Sequence, residues 1–317
     1  MYNLLTLFFR LFIKNLFILL SSNKNSINID YKSNSYILFL FLKIGQNELI
    51  DVFQKVLKKS KHAVETKNLS ISWGEVNVLN QINFELNNGE KLAIVGPSGS
   101  GKSTILKMLA GLILPTKGEL RIFGEKQTYL RLDQNNPPDV RLVFQNPALL
   151  GSLTIEENVG FLLQRNKNLS KKSIHEIVRE CLAEVGLFNV ENKLPNELSG
   201  GMQKRVSFAR ALITDQTLNA NSKPLLLFDE PTAGLDPIAS SRIEDLINKT
   251  NHKASGSSIV VSHVLSTIER TSDKVLMLYG GKFRWAGSID EFKKSKDPYV
   301  FQFRNGKLDG PMQPKDI

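Results

Sequence analysis

Cysteine is nearly absent from this chain of 317 residues, with Cys181 as its single example, and histidine occurs only four times. One thiol excludes a disulfide framework and any cluster of cysteine ligands for a metal ion. The histidines, at positions 62, 175, 252 and 263, are too scattered along the chain to predict a zinc site. Stability must therefore come from a hydrophobic core, for which a chain of this length has ample material.

Acidic residues are fewer than basic ones, and the formal net charge is +10. Residues 1–62 hold nine Lys or Arg and three Asp or Glu, so that +6 of this charge lies in the N-terminal segment. A nucleic-acid-binding protein presents its basic residues on one face of a folded domain. Because the excess is instead concentrated at one end of the chain, we predict no nucleic-acid partner.

Long hydrophobic runs are lacking except at the N-terminus, where residues 1–20 are mostly apolar. On a helix, Asn3, Thr6, Arg10 and Lys14 would fall within an arc of about 80°. A narrow polar stripe of this kind is typical of a helix that lies in a membrane interface, and no small-residue cleavage site follows it. We predict that residues 1–62 are either a membrane-facing leader or a segment upstream of the true start of translation.

The segment GPSGSGKST at residues 96–104 has the form of a phosphate-binding loop (P-loop). It follows an apolar strand predicted at Lys91–Val95 and precedes a helix predicted at residues 105–111, which is the context that the motif requires. Loop amides and the helix N-terminus surround phosphate groups, the lysine reaches the β- and γ-phosphates, and the serine hydroxyl binds Mg²⁺. The predicted nucleotide-binding residues here are Gly96, Ser98, Gly99, Gly101, Lys102, Ser103 and Thr104.

A second part of a nucleotide site follows the apolar run at residues 225–228. An acid at the end of a parallel strand lies beside the P-loop, so Asp229 is predicted to hold Mg²⁺ through water. Glu230, one residue further on, is placed to polarise the attacking water as a general base. With a P-loop upstream, this acidic pair forms a Walker B motif.

Between these motifs lies the sequence LSGGMQ at residues 198–203, directly before a predicted helix at residues 204–212. A serine and two glycines that open a helix form an anion-binding N-terminus. The chain thus has a second predicted phosphate site in addition to its P-loop.

The order of these motifs resembles the ATP-binding-cassette (ABC) ATPases, over residues 63–282. The resemblance implies an α/β fold of the P-loop NTPase type, with a parallel core sheet, an antiparallel β edge subdomain and an α-helical subdomain. It also implies ATP and Mg²⁺ as ligands and a head-to-tail homodimer. In that dimer Ser199, Gly200 and Gly201 of one subunit close over ATP held by the P-loop of the other.

Further family positions match single residues of this chain. Gln145 matches the Q-loop residue, which senses Mg²⁺ and water and borders the permease contact. Asp236 matches the D-loop, which crosses the dimer interface, and it is also a predicted helix cap before Pro237. His263 matches the switch histidine that contacts the γ-phosphate. The resemblance therefore implies catalytic roles for Gln145, Lys102, Glu230 and His263, and Mg²⁺ binding by Ser103, Gln145 and Asp229.

Trp73 lies where the family places an aromatic ring that stacks on adenine, although the family more often has tyrosine there. Packing in the core is the alternative interpretation. The signature also departs from the common pattern, with Met202 in place of glutamine. This change should hardly alter phosphate binding, which uses Ser199 and backbone amides.

The spacing and number of the motifs indicate which class of ABC protein the chain resembles. The stretch between Gln145 and Ser199 is long enough only for a small helical subdomain, whereas chromosome-maintenance members insert a long coiled coil there. Translation-factor members carry two cassettes, and this chain has a single P-loop. Because no permease segments are present, a separate integral membrane permease is predicted. With these classes excluded, the chain is predicted to be the motor subunit of a transporter.

Several stretches of the sequence resemble the Mla/Mce-type lipid transport ATPases of bacteria and their plastid relatives. Two lie at the C-terminus, DPYVFQF at residues 297–303 and GKLDGP at residues 306–311, and two lie in the ATPase, LSGGM at 198–202 and DEPTAGLDPI at 229–238. The resemblance implies lipid cargo, first of all phospholipid, and a lipid-carrying substrate-binding protein as a further partner. A polar-solute importer of the amino-acid type is the alternative, and a DNA-maintenance ATPase is a remote one. The implied location is peripheral, on the cytoplasmic face of the inner (plasma) membrane.

Three regions are predicted in all: the leader at 1–62, the ATPase at 63–290 with a helical subdomain at about 146–212, and a tail at 291–317. The tail is too apolar to be free, so it docks on its own or a neighbouring subunit, or simply packs as a terminal element. Some apolar side chains after Gln145 either receive a permease helix or pack within the helical subdomain. These are Leu149, Leu150, Leu153 and Phe161.

Overall fold

The computed structural model describes residues 60–134, 137–165, 169–213, 223–254 and 256–313. All but the last three residues of the predicted leader, and the last four of the predicted tail, lie outside these ranges. Within them, no helix has both the length and the apolar character needed to cross a bilayer.

Ten strands and eight α-helices make up the described part of the chain. The strands are β1 (His62–Trp73), β2 (Val76–Asn87), β3 (Lys91–Val95), β4 (Lys117–Ile122), β5 (Glu125–Lys126), β6 (Val140–Val143), β7 (Leu225–Asp229), β8 (Ser257–Val261), β9 (Lys274–Tyr279) and β10 (Lys282–Ser288). The helices are α1 (Lys102–Leu109), α2 (Ile155–Gly160), α3 (Lys171–Glu184), α4 (Gly200–Leu212), α5 (Pro237–Ala254), α6 (Leu265–Thr271), α7 (Ile289–Lys294) and α8 (Pro298–Asn305).

The strands form two sheets. An antiparallel sheet has the order β2-β1-β4-β5, and a six-stranded sheet has the order β10-β9-β3-β8-β7-β6. In the larger sheet β3 pairs in parallel with β8 and β9, and β7 pairs in parallel with β6 and β8. The predicted α/β fold with an antiparallel edge subdomain is confirmed. Its core sheet differs from the prediction in one respect, since β10 is an antiparallel strand at its edge.

Strand β3 lies in the middle of the larger sheet because its sequence is apolar on both faces. Residues 92–95, LAIV, are buried throughout, as expected for a parallel strand covered on both sides. One face packs with Ile105 and Leu106 of α1 and with the antiparallel sheet in a single hydrophobic cluster. Helix α1 begins at Lys102, three residues earlier than predicted, because it follows the P-loop directly. The P-loop is thereby attached to rigid elements at both ends.

A helical lobe built from α2, α3 and α4 occupies the predicted helical region. Helix α2 begins with a capping box, in which Thr154 and Glu157 each accept a hydrogen bond from the other's backbone amide. The lobe has its own hydrophobic cluster, which continues onto the sheet. At this junction Phe208 of α4 stacks on Phe228 of β7, with ring centroids 5.4 Å apart. Helix α4 is therefore held against the strand that leads to the Walker B acids.

The tail packs on its own subunit. Asp297 caps α8 by accepting hydrogen bonds from the amides of Tyr299 and Val300. Val300 and Met312 are buried in a third cluster with residues of β3 and β9, on the opposite face of the core sheet from α1. Residues 297–312 of the tail thus pack on the core sheet of the same subunit.

Candidate functional site

The P-loop runs from the end of β3 to the start of α1. Gly96 has φ 150°, and a Cβ atom there would overlap the carbonyl oxygen of Leu278. Only glycine fits this position, because the loop approaches the backbone of β9 so closely. The glycine motif therefore reflects close packing as well as phosphate binding.

Lys102 is buried at the start of α1, and its ammonium group faces the P-loop. Its Nζ atom donates hydrogen bonds of 2.9 Å to the carbonyl oxygens of Gly96 and Pro97. Burial lowers the pKa of Lys102, while the negative charges of Glu230 and Asp229 oppose this shift. The arrangement places a positive charge beside the loop amides, where phosphate oxygens bind.

Ser103 near the start of α1 and Asp229 at the end of β7 are joined by a hydrogen bond. The Ser103 hydroxyl donates a 3.0 Å hydrogen bond to Oδ1 of Asp229, which ends strand β7. Burial raises the pKa of Asp229, and the bond from Ser103 partly offsets this. A hydroxyl and a carboxylate at this distance are hard oxygen ligands suited to Mg²⁺. No group of three or more His, Cys, Asp or Glu side chains that could hold a metal ion occurs in the described ranges. An ion held by Ser103 and Asp229 would need further oxygen ligands.

Glu230 is held in an unusual backbone conformation. Its φ is +45°, in the left-handed region that non-glycine residues seldom adopt. Its amide donates to the carbonyl of Val261, so the end of β7 is tied to the end of β8. Nδ1 of His263 lies 2.9 Å from Oε2 of Glu230, and the backbone amide of His263 lies 3.4 Å from the same oxygen. Strain at such a position is typical of a functional residue.

A buried polar network behind these residues was not predicted from the sequence. Glu244 of α5 is only 1% exposed, and it accepts hydrogen bonds from Ser266, Thr267 and Arg270. Because the Thr267 hydroxyl donates its proton to Glu244, the hydroxyl of Thr232 donates the 2.8 Å bond between the two threonines. The network joins the segment after Glu230 to α5 and α6. Its members come from three separate segments of the sequence and form no recognisable motif.

The signature lies on a different element. Ser199 caps α4, with its hydroxyl accepting a hydrogen bond from the amide of Met202, and it is exposed together with Gly200. Lys204, one turn into the helix, donates to the carbonyl of Ala233 in the D-loop. The helix N-terminus is therefore open to an anion from outside the chain.

Asp236 has the predicted capping role. Its Oδ1 atom accepts 2.9 Å hydrogen bonds from the amides of Ile238 and Ala239 at the start of α5. The carboxylate is exposed, as is Gln145 after β6. Both residues lie on the surface.

Trp73 ends β1 at the hairpin turn and is 54% exposed. This exposure rules out the core-packing interpretation and leaves a large aromatic face available for stacking. Of the apolar residues after Gln145, Leu150 and Phe161 are exposed, whereas Leu149 packs partly against the helical lobe's cluster.

The structure thus brings one group of predicted site side chains together and leaves four others at separate exposed positions. The assembled group, at the ends of β3, β7 and β8, comprises Lys102, Ser103, Asp229, Glu230 and His263. The separate group comprises Trp73, Gln145, Ser199 and Asp236. The assembled group has the chemistry to bind a phosphate chain with a divalent ion and to polarise a water molecule.

Comparison with known proteins agrees with this chemistry. The ABC transporter family pattern matches residues 79–233. The chain is 48% identical over 260 residues to the chloroplastic protein TRIGALACTOSYLDIACYLGLYCEROL 3 of Arabidopsis thaliana, covering 79% of this chain and 75% of that protein. It is 34% identical to the intermembrane phospholipid transport system ATP-binding protein MlaF of Haemophilus influenzae, covering 80% and 94%.

Among solved structures, the chain is similar to the ATP-binding cassette MJ0796 in a dimeric post-hydrolysis state bound to ADP and Pi. The TM-score is 0.62 with 30% identity, over 71% of this chain and 98% of that one.

Proposed function

The chain belongs to the ABC transporter ATPases, and from this premise we propose that it is the ATP-hydrolysing motor subunit of a lipid transporter. The observation that carries the catalytic part of this proposal is the assembly of Lys102, Ser103, Asp229, Glu230 and His263 at one edge of the core sheet. The lipid part rests on the relatives, whose names refer to a galactolipid and to phospholipid transport.

In this proposal the P-loop amides and Lys102 hold the β- and γ-phosphates of ATP. The Lys102 ammonium exchanges its carbonyl partners for phosphate oxygens, which compensate better for its burial. Glu230, oriented by His263, accepts the proton of the attacking water, and His263 also contacts the γ-phosphate. Each group stabilises charge that develops during transfer of the phosphoryl group.

Ser103, Asp229 and Gln145 are proposed to hold Mg²⁺. The hydroxyl and carboxylate oxygens of the first two already lie 3.0 Å apart. When bound, the ion neutralises charge on the β- and γ-phosphates. The exposed side chain of Gln145 is free to approach from the Q-loop.

We further propose that two copies of the chain form a head-to-tail dimer around ATP. The exposed anion-binding N-terminus at Ser199 supports this arrangement, since it lies on the helical lobe and not with the assembled catalytic group. The similar cassette MJ0796 is dimeric in its solved structure. Trp73 would stack on adenine, and Asp236 would lie at the subunit interface.

The proposed partners are an integral membrane permease and a lipid-carrying substrate-binding protein. Leu150 and Phe161, which follow Gln145 in the chain, are exposed apolar residues suited to a permease helix. The subunit would then lie peripherally on the membrane that holds its permease. For a bacterial chain this is the inner membrane, and for a relative of the chloroplastic Arabidopsis protein it is a plastid membrane.

The test is purification of the tagged full chain from native membranes in mild detergent, followed by mass spectrometry of the co-purified proteins and lipids. The expected result is a multi-span permease with a single-span lipid-carrying protein and bound phospholipid or glycolipid. ATP hydrolysis by this complex should rise when that lipid is supplied in detergent micelles.

A permease accompanied by a soluble solute-binding protein and no lipid would overturn the lipid proposal in favour of a polar solute. Stimulation of hydrolysis by DNA would contradict the transport role altogether. A Glu230→Gln complex serves as the control, because it should contain the same partners and lipids without hydrolysing ATP.

A further inference from the structure

The Q-loop backbone is held by the side chain of an arginine on the signature helix. Nη1 of Arg210 donates a 2.9 Å hydrogen bond to the carbonyl oxygen of Ala148, and Nη2 donates a 3.0 Å bond to that of Pro147. Two amino groups of one planar guanidinium thus bind two successive peptide carbonyls. Burial lowers the pKa of Arg210, but a guanidinium remains charged at neutral pH.

The bound segment has a strained backbone. Ala148 has φ +49°, a conformation that costs free energy for a residue with a Cβ atom. Such strain persists only where the surroundings impose it, and the Arg210 bonds contact the two peptide groups concerned. The conformation immediately after Gln145 therefore depends on α4.

The far end of the same loop is held by a second side chain. Asn158 is 1% exposed, accepts a 2.7 Å hydrogen bond from the amide of Leu150, and donates to the carbonyls of Leu150, Leu153 and Thr154. Residues 146–154 thus form a loop whose two ends are held by side chains, one at Arg210 and one at Asn158. The side chain of Leu150 is exposed, while its backbone is one of the groups that Asn158 binds.

The C-terminal end of α4 is also attached to the strand that precedes the Q-loop. Nη1 of Arg141 in β6 donates a 3.1 Å hydrogen bond to the carbonyl oxygen of Ala211. Arg141 is itself fixed by a bidentate contact with Asp139. The segments on both sides of Gln145 are therefore linked by hydrogen bonds to the same end of one helix, through the side chains of Arg141 and Arg210.

Ser199 caps the other end of α4. Arg210 lies eleven positions after Ser199, which corresponds to about 16 Å along a helix. Helix α4 therefore connects the exposed signature to the Q-loop as one rigid element.

We propose that Arg210 is a positioning residue that makes the Q-loop and the signature move as one unit. A permease helix that displaces the loop would then displace Ser199, and nucleotide contacts at Ser199 would shift the loop. This inference rests on the proposed function as an ABC motor. It goes further by assigning the transmission of motion between the Q-loop and the signature to the side chain of Arg210. Lysine cannot replace it, because one ammonium lacks the fork that spans two carbonyls.

Arg205 provides a matched control on the same helix. Its Nη1 atom also donates to two successive carbonyls, those of Val185 and Gly186, at 3.3 and 2.9 Å. These carbonyls lie in the turn after α3, within the helical lobe and away from the Q-loop. Arg205→Lys therefore makes the same substitution on the same helix, at a contact that uses one nitrogen instead of two, without releasing residues 146–154.

The experiment is hydrogen–deuterium exchange on the purified full chain, compared among the wild type, Arg210→Lys and Arg205→Lys. Without nucleotide, we expect amides in residues 146–154 to exchange at least about tenfold faster in Arg210→Lys, since losing a charge-assisted hydrogen bond shifts an opening equilibrium by about that factor. Arg205→Lys should match the wild type in this segment. Equal exchange in all three proteins would contradict the role of Arg210 in holding residues 146–154. If Arg210→Lys does not fold, Arg210→Met, which keeps the apolar stem, replaces it.

The same measurement with Mg²⁺ and the non-hydrolysable analogue AMP-PNP tests transmission. In the wild type and Arg205→Lys, the analogue should slow exchange in the P-loop, in the signature and in residues 146–154. In Arg210→Lys, only the response of residues 146–154 should disappear, an outcome that general destabilisation of the lobe would not produce. A retained response there, or a wild-type loop that does not respond, would overturn the inference. A P-loop that shows no response in any protein would instead contradict the proposed function.

Discussion

Glu230 and His263, although 33 positions apart in the sequence, approach each other to 2.9 Å between Oε2 and Nδ1. The backbone amide of His263 donates a hydrogen bond to the same oxygen, so both the ring and the backbone of His263 contact the carboxylate of Glu230. Glu230 also occupies the left-handed backbone region. An acid restrained in this way loses little entropy when it engages an attacking water molecule.

Replacing Glu230 by glutamine should lower the rate of ATP hydrolysis by about 100-fold or more, because the amide cannot accept the proton of the water. Phosphate release measures this rate, and Lys102→Ala should reduce it similarly by removing charge stabilisation. The Glu230→Gln protein should also accumulate as an ATP-bound dimer in gel filtration. Glu85→Gln is the matched control, since Glu85 pairs with His62 outside the site. Normal turnover by Glu230→Gln would refute the assignment of the base.

The raised pKa of Asp229 predicts a pH-dependent cost to stability. Because the folded protein binds this proton more tightly than the unfolded chain, the free energy of unfolding falls as the pH rises through the raised pKa. Asp229→Asn should therefore raise the free energy of unfolding of the nucleotide-free protein at neutral pH and weaken its decline between acidic and neutral pH. Urea denaturation at several pH values measures both effects.

The same Asp229→Asn substitution should abolish the stabilisation that Mg²⁺ with ATP confers on the wild type, because it removes a carboxylate ligand of the ion. Thermal unfolding with and without the nucleotide tests this point. An Asp229→Asn protein that is less stable than the wild type without nucleotide would contradict the argument from burial.

Trp73→Ala should weaken ATP binding by about tenfold, since stacking of a base on an aromatic ring contributes about 1–3 kcal/mol. Because the side chain is exposed and lies at the end of β1, the free energy of unfolding should hardly change. Trp73→Tyr retains an aromatic face and should bind ATP nearly as well as the wild type. Equilibrium titration with a fluorescent ATP analogue gives the affinities. Equal affinities for all three proteins would remove Trp73 from the site.

Glu244→Ala should lower the free energy of unfolding by about 3 kcal/mol, because it leaves buried donors of Ser266, Thr267 and Arg270 without their acceptor. Asp245 pairs with the same arginine from an exposed position, and Asp245→Ala should cost less than about 1 kcal/mol. Chemical denaturation of the two variants compares them. Similar decreases in the free energy of unfolding for the two variants would show that burial of the network does not add to stability.

Gln302→Leu should release the tail from the core. Gln302 is buried, donates to the carbonyl of Met312 at 2.8 Å and accepts from its amide at 2.7 Å. Without these bonds the segment after α8 should be cleaved faster by trypsin, at Lys307. Gln313→Leu, which removes an exposed bond to Gly310, is the control and should leave cleavage unchanged. Unchanged cleavage of Gln302→Leu would mean that the apolar contacts of Val300 and Met312 hold the tail alone.

Local motifs predicted the site residues that occur close together in the chain. The P-loop, the Walker B acids and the signature are each recognisable because a phosphate must be bound by consecutive backbone amides, or an acid must follow an apolar strand directly. The α/β fold and the ATPase family follow from the same motifs and are confirmed. Whether Trp73 is exposed could not be predicted, since either interpretation suits an aromatic residue at the end of a strand.

Contacts between distant segments escaped the sequence analysis for a different reason. Arg210 and Glu244 are ordinary helix residues by pattern, and nothing in their neighbours indicates which carbonyls or hydroxyls they bind. The sequences of strand β10 and the tail likewise do not indicate against which elements these segments pack.

The amino-acid sequence by itself thus determined the chemistry of the phosphate site, because that chemistry depends on residue types at short, fixed spacings. The tertiary structure decided which distant groups restrain that site: His263 at Glu230, and Arg210 at the Q-loop. The physical reason is that a hydrogen bond depends on distance and direction, and for segments far apart in the chain only the packing of the sheet and helices sets these.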